Sequence, residues 1–289
     1  MASGIQSGNR QGLPQLETVN FKENSAESSI SVKKRRKFYS ALAELTATVD
    51  VANSGSGATV TDEGVAGIID SVTQNFRDQS RKAIQGLTGR ELLDVTRRVS
   101  AQGLTLDDGG FDPNSDGSYE LKLQVVIPGR LPFMAAPFDG HYRGLGGNAV
   151  HDLIFQFSSL ARNNGGSGDD QGTGELFTGG TSDVTWGTEP SVEITQEDAA
   201  MGVLPLFMPR WKRYSGEGTF SSARESYRIP VHTSDPILMV ILRAYRTDTG
   251  EALDVLNNVE LFGMDEYDRV PISGLRMRER RDFDAVGSS

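Results

Sequence analysis

The chain of 289 residues contains no cysteine. That excludes a disulfide framework and any site built on thiolate ligands. Histidine is nearly absent as well, at three residues, and tryptophan occurs only twice. The three histidines, His141, His151 and His232, share no metal-ligand spacing such as i, i+4. They read as polar loop or strand-end residues. Long apolar runs are lacking too. The longest, PILMVIL at 236–242, is far too short to span a bilayer. The N-terminal MASGIQSGNRQG has no apolar core, so a secretory signal is not expected there. Positive charge is in deficit. The formal net charge is −10, which argues against a dedicated nucleic-acid binder.

What the chain does have is glycine, at 33 residues, with 37% hydrophobic and 24% charged content. This composition suits a globular protein of many strands joined by many turns. The length allows one large or two small domains.

Residues 1–30 are polar and nearly free of apolar periodicity, and residues 1–37 read as an extended arm. The arm ends in a basic cluster, Lys33, Lys34, Arg35, Arg36 and Lys37. It is either a solvated charge run or a contact with something anionic, such as nucleic acid, lipid headgroups or an acidic neighbour. Strands follow. Ala43, Leu45, Ala47, Val49 and Val51 alternate with polar residues, the period-two pattern of a half-buried strand, and a Ser54–Gly57 turn ends it. In GVAGIIDSVTQNFR, 64–77, Ala66, Ile69, Val72 and Phe76 fit a helical stripe, and a short helix running into a strand fits equally. Thr88-Gly-Arg-Glu91 is a capping box that predicts a short helix over about 89–98. Tyr119, Leu121, Leu123, Val125 and Ile127 share one strand face; Leu153, Phe155 and Phe157 another; Val192 and Ile194 a third; Val259 and Leu261 a further one. The continuously apolar 237–242 reads as a strand covered on both faces. Roughly a dozen candidate strands with one or two short helices point to a mainly β fold, a β-sandwich.

One internal echo suggests duplication. TDEGVAGIIDSVTQNF at 61–76 and TDTGEALDVLNNVELF at 247–262 match at Thr, Asp, Gly, Ala and the final Phe without gaps. Each follows a strong strand and precedes a Gly-Leu pair, Gly86-Leu87 and Gly274-Leu275.

The stretch closest to a chemical motif is FDPNSDGSYELKLQVVIP, 111–128. With Asp112 as position 1 of a calcium loop, Asn114, Asp116 and Gly117 fall correctly and Glu120 falls at position 9. Position 12, which needs a bidentate carboxylate, is Leu123, and Pro113 sits inside the loop. Asp, Asn and Gly are also what a β-turn needs. The stretch therefore reads first as an acidic turn launching a strand. Asp112, Asn114, Asp116 and Glu120 stay as a weak candidate for structural calcium, and no other cofactor is expected. No G-x-S-x-G elbow is present, and RGLGGN at 143–148 lacks the Lys and Ser/Thr of a phosphate loop. Trp186, Trp211 and Tyr214 suit a sugar groove or, more commonly, a core or interface. The basic segment Arg276-Met-Arg278-Glu-Arg280-Arg281 is either a solvated face or a subunit contact with acidic neighbours.

The order of parts carries a resemblance. LTATVDV is followed by GIIDSVTQNF and then by GLTGRELL. LKLQVVIPGRLPF, LIFQFSSL, GELFTGG and SVEITQED come next. YRIPV, ILMVILRAY and VELFG close the series. Over about 38–281 this resembles the jelly-roll major capsid proteins of tailless, membrane-containing icosahedral bacteriophages, the corticovirus-type coat proteins. The resemblance implies a non-enzymatic structural protein of the virion, made in the host cytoplasm. It implies one or two eight-stranded jelly rolls per chain, with three chains forming a capsomer. Partners would be further copies of the chain, other virion proteins, and an internal membrane or genome reached by the N-terminal arm. Some members bind calcium structurally. The echo favours a double jelly roll, with a first roll over 38–198 and a second, compressed one over 199–289. A single roll with an added β domain is the alternative architecture. A jelly-roll receptor-binding or carbohydrate-binding spike or minor virion protein is the alternative function.

Overall fold

The computed structural model describes residues 15–20, 28–33, 37–76, 81–99, 105–128, 150–158, 176–180, 182–199, 211–214, 240–242, 244, 258–262 and 267–271. Among them are fourteen strands and two helices. In chain order these are β1 (Gln15–Asn20), β2 (Ser28–Lys33), β3 (Lys37–Ala52), β4 (Ala58–Val60), α1 (Gly64–Gly67), β5 (Ile69–Phe76), β6 (Arg81–Leu87) and α2 (Gly89–Val99). There follow β7 (Leu106–Asp107), β8 (Gly117–Pro128), β9 (Val150–Phe157), β10 (Phe177–Gly179), β11 (Asp183–Ala199), β12 (Trp211–Lys212), β13 (Asn258–Phe262) and β14 (Tyr267–Pro271).

Two five-stranded sheets form a sandwich. The first has the order β1-β11-β3-β8-β7 and the second β12-β6-β5-β9-β2. The chain passes repeatedly from one sheet to the other: β2 to β3, β6 to β7, β8 to β9 and β11 to β12 all change sheets. Pairing within both sheets is antiparallel except for the two-residue β12 beside β6. The protein is therefore mainly β, a sandwich of the jelly-roll kind.

Period-two alternation sets the inner faces. Ala43 lies between Ile194 and Val125, and Leu45 between Val192 and Leu123, so three strands present one apolar surface. All six side chains are at most 1% exposed. From the second sheet come Ile69, Val72, Ile84, Leu153, Phe155 and Phe157. Burying a side chain of this size contributes about 1.5–3 kcal/mol. Phe155 and Phe157 stack at 6.1 Å, since residues two apart on a strand share a face.

The ambiguous 64–77 stretch resolves as the short helix α1 running into β5. The capping box forms as the sequence predicts. Glu91 N–H donates to Thr88 Oγ1 at 3.2 Å, and Thr88 N–H donates to Glu91 Oε2 at 2.9 Å. The other oxygen of Glu91 pairs with Arg213 at 3.0 Å, which ties the short β12 segment to the start of α2. Leu92, Leu93 and Val95 are buried. Helix α2 also covers an open edge. Beyond the two-residue β7, β8 donates Gln124 N–H to the Thr105 carbonyl and Val126 N–H to Thr96 Oγ1.

Three expectations need revising or fall elsewhere. Residues 15–20 and 28–33, read as part of an arm over 1–37, are edge strands, one in each sheet. The apolar run 237–242 is not a strand covered on both faces at its described positions. Residues 240–242 belong to no strand, and Val240 and Leu242 are 52% and 43% exposed. Apolar content alone does not say whether a partner element lies on each side. Within 199–289, expected to be a second roll, β12 instead pairs with β6 in the first sandwich, and the β13–β14 hairpin is the other described element. In the internal echo, β5 and β13 end at the corresponding Phe76 and Phe262; residues 247–257 lie outside the described residues.

Candidate functional site

Three loops meet at one end of the first sheet because its strands end together there. Val51 pairs with Gly117 and Ala52 with Asp183. The turn after β3, the acidic turn before β8 and the turn before β11 are thereby brought side by side.

The acidic turn is fastened to its neighbours by its own side chains. Asn114 uses both ends of its amide on one residue: Oδ1 accepts Ala58 N–H and Nδ2 donates to the Ala58 carbonyl, each at 3.0 Å. The side chain acts there as an added strand edge for β4, whose other edge pairs with β10. Asp116 Oδ1 accepts Ser54 N–H at 2.7 Å, a charge-assisted bond. Ser182, fully buried, accepts Gly55 N–H and donates to the Pro113 carbonyl. Asn53 Nδ2 donates to Asp183 Oδ2 at 2.8 Å.

Within the turn, carboxylates satisfy local amides. Asp107 accepts Gly109 N–H, Asp108 accepts Gly110 N–H, and Asp112 accepts Asn114 N–H. Gly109 and Gly110 have φ of +63° and +72°, the left-handed region open to glycine. Beneath them Phe111 is buried, edge-on to Tyr119 at 5.6 Å and near Phe177 at 6.1 Å. Tyr119 Oη donates to the Ser115 carbonyl at 3.0 Å.

This geometry bears on the calcium candidates. Asp112, Asn114 and Asp116 each direct an oxygen at a backbone N–H. Glu120 lies on β8, its side chain 64% exposed and paired with Lys122 at 3.0 Å. Leu123, at the twelfth loop position, is fully buried. Among the described residues no group of three or more His, Asp or Glu is arranged to hold a metal. The donor set does not fit a calcium loop. What it does fit is a mechanical clamp across three loops.

The basic cluster lies at the other end of β3. Lys33 ends β2 in the second sheet and Lys37 begins β3 in the first, so the cluster is the link between the sheets. Lys34, Arg35 and Arg36 lie outside the described residues. A 16-residue strand spans about 50 Å and separates this link from the acidic turn. Trp186 and Trp211 belong to different sheets, and both pack half-buried against the core. His151 is in β9; His141 and His232 lie outside the described residues.

The clamp partners Ser54, Gly55 and Ser182 were not legible as site residues. Their turns are readable from Gly and Ser content, but their meeting depends on the sheet register.

No family model matches the sequence, and no curated protein is significantly similar to it. Among solved structures, the viral major capsid protein STIV MCP aligns with 64% of this chain at 10% identity and a TM-score of 0.32. This chain covers 49% of that one, about half its length. At such identity and score the likeness carries no argument about function.

Proposed function

We infer that this chain is a viral coat subunit, a jelly-roll protein that acts by assembly rather than by catalysis. The observation that supports it is the order of elements behind the resemblance to phage coat proteins. LTATVDV falls on β3, IDSVTQNF on β5, and GRELL opens α2. LKLQVVIP falls on β8, LIFQF on β9, SVEITQED on β11 and VELF on β13. These segments thus lie on distinct elements, and all but the last belong to one sandwich. YRIPV lies outside the described residues, and ILMVILRAY meets them only at 240–242 and 244.

In this reading three chains form a capsomer, and capsomers tile an icosahedral shell of a bacteriophage. The Lys33–Lys37 link faces inward, towards lipid or genome. A second roll is built from the chain beyond β12, since β12 itself adds a strand to the first sandwich. The loop clamp holds one end of the sandwich rigid, as a repeating tile requires, with or without a bound cation. The alternative reading, a carbohydrate-binding spike or minor virion protein, draws no support from Trp186 and Trp211, which sit in different sheets.

Light scattering and electron microscopy of the purified full chain test the proposal. Trimers and closed shells or sheets are expected. A chain that stays monomeric at high concentration overturns it. Reversing the charges of Lys33–Lys37 is expected to lower particle yield while leaving the circular dichroism spectrum intact; normal yield removes the inward role of the cluster.

A further inference from the structure

The outer face of the first sheet carries charge that the sandwich itself does not neutralise. Among the described residues, Glu44 and Asp50 on β3, Glu120 on β8 and Glu193 on β11 stand against one lysine, Lys122, already paired with Glu120. The register sets Glu44 directly opposite Glu193 on the neighbouring strand. Like charges directly opposite on adjacent strands destabilise a sheet. Gln124 donates to Glu44 from the other side, which fixes the carboxylate without cancelling its charge. Among the described residues no cation pairs with Glu44 or Glu193. Glu193 and Thr46 are exposed, so the face is open.

The same chain holds, outside the described residues, a segment of complementary charge: Arg276, Arg278, Arg280 and Arg281, with Glu279 as the acid among them. Arginine suits this face. Its planar guanidinium presents paired donors that match carboxylates, and it is enriched at interfaces between proteins. We propose that the outer face of the first sheet, centred on the Glu44–Glu193 pair, is a subunit interface that receives the arginine-rich segment 276–281 of a second copy of this chain. This rests on the reading of the chain as a self-assembling subunit and names one contact through which it assembles. Such a contact supplies orientation and specificity, and it weakens as salt rises.

The test is a charge swap in the full chain, read by sedimentation velocity over a salt series. Glu44→Lys/Glu193→Lys and, separately, Arg278→Glu/Arg280→Glu are each expected to weaken self-association on the order of tenfold. Mixing or combining the two reversed sets is expected to restore it. Circular dichroism melting checks that each variant folds. If the wild type associates and neither reversal matters, this contact is wrong and the coat reading stands. If the wild type does not associate at all, both fall. If the reversals lower thermal stability but leave association unchanged, the segment binds within its own chain, and the interface between copies is overturned.

Discussion

Thr96 on α2 places its hydroxyl between two backbones. Oγ1 donates to the Leu92 carbonyl at 2.6 Å and accepts the Val126 N–H of β8 at 2.9 Å. One side chain thus joins a helix to the edge of a sheet where the neighbouring strand β7 has ended. Open sheet edges template further pairing, and this one is closed from within.

Replacing Thr96 with Val keeps its shape and removes both bonds. The residue is fully buried, so Val126 N–H loses its partner in a dry place. A loss of about 1–3 kcal/mol is expected in urea unfolding. Hydrogen exchange at Val126 is expected to accelerate more than at Val125. Unchanged exchange at Val126 would show that the hydroxyl does not hold this edge.

Asn114→Ala removes both bonds to Ala58 and is expected to cost about 1–2 kcal/mol. Asn114→Asp keeps the acceptor for Ala58 N–H but sets a carboxylate against the Ala58 carbonyl, so little recovery is expected. Equal stability of Asn114→Ala and wild type would remove the clamp.

Gly109 and Gly110 make a matched pair. Both have positive φ, yet a Cβ on Gly109 would lie 2.4 Å from the Glu120 carbonyl oxygen, whereas one on Gly110 meets nothing within 4 Å. Gly110→Ala is expected to cost about 1–2 kcal/mol from backbone strain alone. Gly109→Ala should cost clearly more, because backbone must move as well. Thermal melts that rank the two equally would contradict the close approach.

Calcium titration addresses the turn directly. A cation bound only by the folded state at 100 times its dissociation constant would add about 2.7 kcal/mol. With one oxygen each of Asp112, Asn114 and Asp116 held by a backbone amide and a buried Leu123 at the twelfth position, a midpoint shift below about 1 °C is expected. A saturable rise of several degrees, lost in Asp116→Asn, would establish a cation site there.

Much of the sandwich was readable before any fold was known. Alternation from Ala43 to Val51 and from Tyr119 to Ile127 marked β3 and β8, because a strand with one face on a core must place apolar residues at every second position. Thr88 and Glu91 marked the start of α2, because capping is a local bond between residues three apart. Strands β1 and β2 were not readable. An edge strand bonds a single neighbour through its backbone and needs no strong apolar stripe. Residues 240–242 failed in the opposite direction, since an apolar run does not reveal what lies beside it.

The acidic turn divides along the same line. Sequence alone determined that 112–117 reads as a turn, that Leu123 occupies the place of a twelfth ligand, and that a strand follows at once. These are properties of neighbours along the chain. Only the tertiary structure decided what the turn's side chains do. Asn114 meets Ala58, and Asp116 meets Ser54, across more than fifty residues of chain. Which amides a carboxylate finds depends on the register of β3 against β8 and β11, and burial of whole sheet faces sets that register.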